Sequence, residues 1–202
     1  MDADALAARV LAWPLPDAVP NGPRIVAVDG PSGAGKTTLA RDLADALART
    51  AGRTEVVHLD GLYPGWDGLD AAVPLLVRRV LAPLAAGTPV SVPTWDWERD
   101  RPGPERALTR LGPPSPAAVV VEGVGAGARA ASRYLAGIVW LEGPEAQRRA
   151  RALARDGDAY APHWQRWADQ ERAHFARERT RERAGIVLAP GPAPGEVVER
   201  CR

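Results

Sequence analysis

The residues best suited to chemistry lie in one glycine-rich segment, residues 30–37, with the sequence Gly-Pro-Ser-Gly-Ala-Gly-Lys-Thr. It fits the pattern G-x-x-x-x-G-K-[ST], in which glycines let successive backbone N–H groups turn toward phosphate oxygens. Lys36 is the only lysine of the chain, and apart from histidine every other basic side chain is arginine. A compact ammonium on a thin stem can reach under such a loop, whereas the planar arginine fork is too broad. The segment therefore predicts binding of ATP or GTP.

Position within this loop predicts the role of each residue. Lys36 is expected to contact the β- and γ-phosphates, and Thr37 to place its hydroxyl on Mg²⁺. The other positions are expected to bind phosphate oxygens mainly through the backbone. The predicted nucleotide-binding residues are Gly30, Ser32, Gly33, Ala34, Gly35, Lys36, Thr37 and Thr38.

Acidic residues at the ends of predicted strands could complete a site for phosphoryl transfer. Glu122 follows three valines and precedes a glycine, so it should emerge at the carboxyl edge of the sheet and contribute to the metal site. Asp60 ends another apolar run, and a carboxylate there could orient an acceptor hydroxyl and accept its proton. Asp29 stands directly before the loop and is expected either to lie near the site or to brace the loop.

The elements that must position these residues alternate along the chain. Short apolar runs bounded by turn residues predict buried parallel strands, and apolar residues at helical spacing predict helices. Strands are expected at 24–29, 55–59, 118–122, 137–141 and 186–188, and helices at 3–12, 37–50, 70–82, 144–155 and 160–182. Residues 89–97 are expected to be extended, 61–68 and 98–116 to form loops, and the Pro/Gly-rich tail at 190–195 to form a surface strap.

This alternation predicts an α/β fold, a three-layer P-loop NTPase sandwich with a mostly parallel five-stranded sheet. The length of 202 residues favours one domain over 1–202. We expect its core at about 22–145 and 184–190, and an Arg-rich helical lid at about 146–182.

Composition excludes several classes of protein. The net charge of +1 gives no field that would favour nucleic acid or a membrane surface. The single cysteine, Cys201, excludes an intramolecular disulfide and agrees with a reducing cytoplasm. No apolar run approaches the roughly 18 residues of a membrane span, and the N-terminus lacks the basic start of a secretory signal. We expect a cytoplasmic protein that binds a small molecule and neither nucleic acid nor a membrane. The sequence is compatible with a homodimer and does not decide the oligomeric state.

Four short motifs, taken in order, resemble the uridine kinase and phosphoribulokinase group of P-loop kinases. They are the loop with its flanks at 27–38, His58-Leu59-Asp60-Gly61-Leu62-Tyr63, Pro93-Thr94-Trp95-Asp96-Trp97 and Val121-Glu122-Gly123. The resemblance covers roughly residues 24–188. It implies transfer of the γ-phosphoryl group of ATP to an acceptor hydroxyl, with Mg²⁺ as cofactor.

The resemblance also implies which residues bind the acceptor. Asp60 matches the catalytic base of the family's Asp-x-Phe-Tyr motif, and Tyr63 matches its tyrosine. In the family, a Pro-Thr-Tyr-Asp-Phe segment contributes to a nucleoside pocket, and Trp95 and Trp97 stand here in place of its two aromatic residues. Asp70 falls near an acid that holds sugar hydroxyls in the family.

An arginine-rich segment ending in Arg155-Asp156 resembles the family helix that closes over the phosphates. Arg148, Arg151 and Arg155 are spaced i, i+3 and i+7, so they share a helical face and could converge on the transferring phosphates. Together with Lys36 and Asp60 they are the predicted catalytic residues. A second set of residues recurs at helical spacing farther along the chain: Trp164, Trp167, Glu171 and His174. This stripe is expected to pack helices together. His58, in a predicted strand, is expected to be structural.

The preferred interpretation is an ATP-dependent kinase that acts on a hydroxyl of a nucleoside or a similar metabolite. Residues 29–31, Asp-Gly-Pro, also resemble cytidylate kinase, so a nucleoside monophosphate is an alternative acceptor. Its phosphate would need extra basic residues, for which the candidates are Arg78, Arg79, Arg99 and Arg101. A regulatory ATPase without an acceptor, and a degenerate relative that has lost its substrate, are further alternatives. The guanine-recognition motif Asn-Lys-x-Asp needs a second lysine, so the sequence favours ATP over GTP.

Overall fold

The computed structural model describes residues 1–97, 99–112, 115–157, 160–191 and 197–200. Its helices are α1 (Ala3–Leu11), α2 (Lys36–Ala51), α3 (Leu69–Leu76), α4 (Ala82–Ala85), α5 (Glu145–Asp156), α6 (Trp164–Glu178) and α7 (Thr180–Arg183). Its strands are β1 (Arg24–Asp29), β2 (Thr54–His58), β3 (Ser91–Val92), β4 (Trp95–Asp96), β5 (Arg101–Pro102), β6 (Arg106–Ala107), β7 (Ala118–Glu122), β8 (Gly137–Leu141), β9 (Ile186–Pro190) and β10 (Val197–Glu199). Shorter turns of 3₁₀ helix cover Leu59–Gly61, Thr109–Leu111, Arg129–Tyr134 and Ala161–His163.

Six strands form the central sheet in the order β10-β9-β8-β1-β7-β2. The five strands from β9 to β2 run parallel, and β10 pairs antiparallel with β9. This confirms the predicted α/β fold with a mostly parallel sheet and corrects the predicted number of strands from five to six. The sequence pattern misses β10 because the strand has three residues and follows a stretch rich in Pro and Gly.

The sheet separates two layers of helices. Along β1, Ile25 and Ala27 belong to one apolar cluster, while Val26 and Val28 belong to the other. That alternation is what the two-residue period of a strand requires. Helices α1 and α2 cover the face of Val26, and α3 and α6 cover the face of Ile25. Because β1 lies between β7 and β8, the loop after β1 occupies the middle of the carboxyl edge, where parallel α/β sheets bind ligands.

The helix expected at 70–82 is longer than predicted. It begins at Leu69 and continues through a π-helical turn, Val77–Leu81, into α4. Pro83 does not end it, because this proline lies in the first turn of α4, where a missing N–H is tolerated. The pattern therefore predicts the start of this helix correctly and its end too early.

Two other stretches differ from the prediction. Residues 98–116, expected to be loop, contain β5, β6 and a 3₁₀ turn; these strands pair with β4 and β3 as two-residue ladders. Pairs this short leave no alternating pattern in a sequence. The helix expected at 160–182 begins at Trp164 and is broken at Arg179, whose φ of 51° is left-handed.

Some predictions concern residues outside the described part of the chain. Cys201 is one of them, and residues 192–195 of the expected surface strap are others. Pro190, at the start of that strap, ends β9. In the described ranges, no helix is both long and apolar enough to cross a membrane.

Candidate phosphoryl-transfer site

The glycine-rich loop connects β1 to α2. Gly30, Gly33 and Gly35 have φ values of 140°, 73° and 103°, a backbone that side-chain-bearing residues rarely adopt. Lys36 is the first residue of α2, is only 8% exposed, and donates from Nζ to the Pro31 carbonyl at 3.1 Å. The ammonium therefore lies within a loop that leads into a helix N-terminus, an arrangement suited to binding phosphate.

Asp29, the last residue of β1, is fully buried and braces this loop. Its carboxylate accepts the N–H groups of Gly30 at 2.7 Å, Gly125 at 3.1 Å and Gly127 at 2.9 Å. Burial raises the pKa of Asp29, while the three N–H donors and the charge of Lys36 oppose that rise. The sequence leaves two roles open for Asp29, a place near the bound phosphates or support of the loop, and these contacts favour support of the loop.

The two predicted metal residues meet at the carboxyl edge. Thr37 Oγ1 donates to Glu122 Oε1 at 3.4 Å, and Glu122 is 3% exposed. Hydroxyl and carboxylate oxygens are ligands that Mg²⁺ prefers, and a site with two protein ligands leaves positions for phosphate oxygens and water. The pair therefore fits Mg²⁺ bound together with a nucleotide. Among the residues that the structure describes, no group of three or more His, Cys, Asp or Glu could hold a metal by itself.

His58 contacts this pair, although the sequence suggested a purely structural role. Its Nδ1 lies 2.6 Å from Glu122 Oε1, and the register of β2 against β7 places the two residues opposite each other. The hydrogen bond with Glu122 and the charge of that carboxylate raise the pKa of His58. The available signal was that both residues end strands, but the adjacency of those strands cannot be read from the sequence.

Asp60 lies two residues beyond His58, in the 3₁₀ turn Leu59–Gly61. Although Asp60 is an exposed residue, neighbouring protein atoms displace part of the water around its carboxyl group and raise its pKa, and the charge of Glu122 raises it further, whereas Lys36 and Arg155 lower it. Asp60 is thus in electrostatic reach of the metal residues, the loop lysine and one predicted lid arginine. Its carboxylate has no hydrogen-bond partner in the described ranges, so its oxygens are open to a substrate.

The three arginines of α5 take different partners. Arg148 donates from Nε to the Gly143 carbonyl at 3.0 Å and from Nη1 to the Ser32 carbonyl at 2.9 Å, so it ties α5 to the phosphate loop. The charge of Arg155 acts on Asp60, but the guanidinium of Arg155 donates to the adjacent Asp156 at 2.7 and 2.8 Å. Arg151 lies beside Gly143. Of the three, Arg155 is the one within electrostatic reach of the predicted base.

Two residues implied in acceptor binding are engaged elsewhere. Tyr63 is buried, donates its hydroxyl to a backbone carbonyl after β7 at 3.0 Å, and packs edge-on against Trp167 at 4.8 Å between ring centroids. Asp70 Oδ1 accepts from Arg177 at 2.6 Å and lies 3.4 Å from Nδ1 of His174. Partial burial tends to raise the pKa of Asp70, but the hydrogen bonds with Arg177 and His174 outweigh that effect, and the pKa is lowered. Both side chains join the region after β2 to α6.

Of the two predicted acceptor tryptophans, Trp97 belongs to a cluster of rings around Trp66. The ring of Trp66 stacks on His163 at 4.3 Å between centroids and meets Trp97 edge-on at 4.9 Å. Trp97 remains 38% exposed, while Trp95 donates from Nε1 to Asp100 at 3.2 Å. The cluster is packed largely against itself, and Trp97 presents an exposed ring.

Helix α6 contacts the phosphate loop directly. Glu171, 4% exposed, accepts from the backbone N–H of Ser32 at 2.8 Å and from the indole N–H of Trp167 at 2.9 Å. The same indole nitrogen lies 3.0 Å from Ser32 Oγ. The α6 stripe does pack, as predicted, but the sequence did not show that two of its members also hold the loop, because these contacts join residues 139 and 135 positions apart.

A wide cleft of about 950 Å³ opens beside the loop, next to the ends of β8 and β9. Gly143 and Pro190 are part of its lining, and Gly143 is bonded to the same Arg148 that holds Ser32. A cleft of this size has room for the nucleoside part of a nucleotide whose phosphates lie in the loop.

Comparison with known proteins identifies the fold. No protein-family profile matches the chain. A protein from Bacillus stearothermophilus described as a possible uridine kinase aligns with a TM-score of 0.64 and 22% identity, over 92% of this chain and 96% of that one. A candidate fructose transport system kinase from Silicibacter sp. TM1040 aligns with a TM-score of 0.59 and 25% identity, over 91% and 95% of the two chains. These neighbours confirm the fold and its resemblance to P-loop kinases of the uridine kinase type.

One curated relative matches part of the sequence. A cytidylate kinase from Corynebacterium glutamicum is 38% identical in an alignment of 96 residues that covers 43% of this chain and 41% of the relative. The chain thus matches about two-fifths of the length of that protein. The substrates named in the descriptions of these proteins differ from one to the next.

Proposed function

We propose that this protein is an ATP-dependent kinase that moves the γ-phosphoryl group to a hydroxyl of a small metabolite. The observation that carries the proposal is the contact of Thr37 with Glu122 beside the buried Lys36, with the unpaired Asp60 in electrostatic reach of Glu122 and Lys36. Any nucleotide-binding switch needs a phosphate loop and a metal carboxylate. A second, open carboxylate is what a hydroxyl acceptor requires in addition.

The proposed chemistry assigns one task to each group. The loop and Lys36 hold the β- and γ-phosphates, and Thr37 and Glu122 hold Mg²⁺, which when bound neutralises phosphate charge. Asp60 orients the acceptor hydroxyl and takes its proton as the new O–P bond forms. The bond from the γ-phosphorus to the bridging oxygen breaks, and ADP leaves with the electron pair. Arg155, whose charge acts on Asp60, is assigned the task of stabilising negative charge on the transferring group, and this task requires it to exchange Asp156 for the phosphate.

ATP is the proposed donor. The cleft beside Gly143 lies next to the loop and has the volume for a base and ribose. The chain has no second lysine with which to form the usual guanine-recognition motif. The cleft supports a nucleotide in general, and the absence of a second lysine favours adenine over guanine.

A nucleoside is the first acceptor to test. The structural likeness to a possible uridine kinase supports it, as does the exposed ring of Trp97, which could stack on a base. Trp95 lies against Gly65, in the loop that follows the turn of Asp60. The second candidate acceptor is a nucleoside monophosphate, which the partial likeness to a cytidylate kinase favours.

An acceptor screen read by ADP release tests the proposal. MgATP is offered with nucleosides, nucleoside monophosphates or phosphorylatable vitamins, and one class should stimulate turnover. Lys36→Ala should abolish that stimulation, and Asp60→Asn should lower kcat on the order of 10²- to 10⁴-fold while the KM for ATP stays within a few-fold. Asp45→Asn, on the exposed side of α2, is the control and should change neither.

Other outcomes would point elsewhere. If Asp60→Asn lowers kcat and ATP affinity equally, Asp60 belongs to the metal site and is not the base. If no acceptor stimulates ADP release, the regulatory ATPase becomes the better interpretation. Retention of acceptor-dependent turnover in Lys36→Ala would overturn the phosphate site itself.

A further inference from the structure

A second groove, of about 330 Å³, runs along the free edge of β2. β2 is the last strand of the sheet on this side, and β6 and the turn Thr109–Leu111 form the opposite wall. The lining includes His58 and Gly61, which lie two residues before and one residue after Asp60. The groove therefore opens next to the turn Leu59–Gly61, which carries the proposed base, while Asp60 itself is not part of the lining.

The groove combines an apolar wall with one uncompensated cation. Glu55 and Arg110, both in the lining, pair with each other at 3.1 Å. Arg106 is an exposed residue of β6, and its guanidinium has neither a hydrogen-bond nor an ion-pair partner among the described residues. Its Nη2 lies 3.5 Å from the position that a Cβ on Gly61 would take, and its charge acts on His58. The apolar wall consists of Val57, Leu62, Val92, Leu108 and Leu111.

The arginines that the sequence suggested for an acceptor phosphate are occupied or lie elsewhere. Arg79 bonds the Ser91 carbonyl at 3.2 Å and also pairs with an acid of the β5–β6 region. Arg99 and Arg101 both pair with Asp96, at 3.0 and 3.9 Å. Arg78 is not part of the groove lining. Within the described part of the chain, Arg106 thus provides an unpaired guanidinium beside the turn of Asp60, and the sequence pattern does not single it out.

We propose that Arg106 and this groove form a subsite for an anionic group, a carboxylate or a phosphate, on the phosphoryl acceptor. The inference rests on the proposed function and narrows its substrate class. A guanidinium fork matches the oxygens of both anions, while the apolar wall suits a short carbon skeleton. A neutral acceptor would leave this exposed guanidinium to water and gain nothing from its charge. The subsite therefore ranks an anionic acceptor, a hydroxy acid or a phosphorylated metabolite, above the neutral nucleoside that the structural likeness by itself favours.

Matched pairs of acceptors test the subsite. Each pair differs by the anion: cytidine and cytidine monophosphate, glycerol and glycerate, panthenol and pantothenate. The wild type should turn over the anionic member of at least one pair at a KM lower by about 10- to 100-fold. Arg106→Gln should remove that preference and leave the KM for ATP unchanged, and Arg106→Lys should restore part of it. Arg110→Gln, a paired arginine in the same groove, is the matched control.

The result shows whether the anion is a carboxylate or a phosphate, and it distinguishes failure of the Arg106 subsite from failure of the proposed kinase activity. Preference for the monophosphate indicates a phosphate, and preference for glycerate or pantothenate a carboxylate. If the wild type prefers the neutral member of every pair, or if Arg106→Gln keeps the preference for the anionic member, the subsite proposal is wrong, while the proposed kinase activity is unaffected. If no compound stimulates ADP release, the kinase proposal fails, and calorimetric titration of the same anions into the protein with a non-hydrolysable ATP analogue decides the subsite. Binding that Arg106→Gln abolishes supports it, and absent or unchanged binding overturns it.

Discussion

At the scale of single residues, three carboxylates near the ends of neighbouring strands differ in their partners. Asp29 is saturated by three backbone N–H groups, Glu122 is shared by Thr37 and His58, and Asp60 has no hydrogen-bond partner in the described ranges. A saturated carboxylate supports structure, whereas an open one can accept a proton. The sequence predicts where all three carboxylates lie, but it cannot tell which of them is saturated and which is open. For Asp29 the reason is that its partners in the loop after β7 are 96 and 98 residues away.

The environment of Asp60 predicts a pH dependence. Its pKa is raised above the ordinary aspartate value of 3.8, first by loss of water around it and then by Glu122. Because a base works in its ionised form, activity should be lost as pH falls through this raised pKa, so the acid limb of kcat/KM for the acceptor should lie above pH 3.8. Asp60→Asn should remove this limb from the residual activity, and Asp45→Asn should keep it. An acid limb that survives unchanged in Asp60→Asn would assign it to another group.

At the scale of elements, the prediction succeeds where the signals are local. The sequence predicts β1 over 24–29 and α2 over 37–50, within one residue of the observed bounds, because an apolar run, a glycine loop and a helical stripe follow one another directly. The functions of α5 and α6 are less accessible. Both helices hold the phosphate loop through Ser32, and residues more than a hundred positions apart make these contacts.

The close approach of α5 to the loop can be tested at Gly33. A Cβ there would lie 2.1 Å from the carbonyl oxygen of Arg148, so Gly33→Ala should displace α5 or the loop. Gly87→Ala is a matched control, since Gly87 has a similar φ of 65° and a Cβ there would meet nothing within 4 Å. Both variants should lose about 1–2 kcal/mol of unfolding free energy through the left-handed backbone. Gly33→Ala alone should also weaken ATP binding, by about tenfold or more. Equal ATP affinities, measured by calorimetry, would contradict this packing.

Glu171 provides the corresponding test for α6. Glu171→Ala leaves the N–H of Ser32 without its acceptor and leaves the indole N–H of Trp167 with Ser32 Oγ as its one remaining acceptor, and burial makes this cost about 1–3 kcal/mol of unfolding free energy. ATP affinity should fall as well, because Ser32 is part of the loop. Glu171→Gln keeps an acceptor oxygen and should retain most of both properties. Urea unfolding and ATP titration measure the two effects, and equal damage in both variants would show that the charge matters more than the hydrogen bonds.

At the scale of the whole molecule, the arrangement of strands determines which residues meet. The alternation of elements predicts the layers, but not the order β8-β1-β7-β2 that brings His58 opposite Glu122. Nor does it predict that the chain ends interact, with the N-terminal amine of Met1 donating to Val197 on β10. Such pairings depend on tertiary packing, which no local pattern encodes. The resemblance to known kinases supplies the topology that periodicity cannot.

Because the site joins elements from most of the chain, nucleotide binding should stabilise the protein as a unit. A ligand at 100 times its Kd adds about 2.7 kcal/mol to the free energy of unfolding. For a domain of this size, that corresponds to a rise in Tm of about 5–11 °C, measurable by differential scanning fluorimetry with MgATP. Lys36→Ala should abolish the shift, whereas Arg106→Gln, whose groove lies along β2, should keep it. A shift that persists in Lys36→Ala would mean that ATP binds outside the glycine-rich loop.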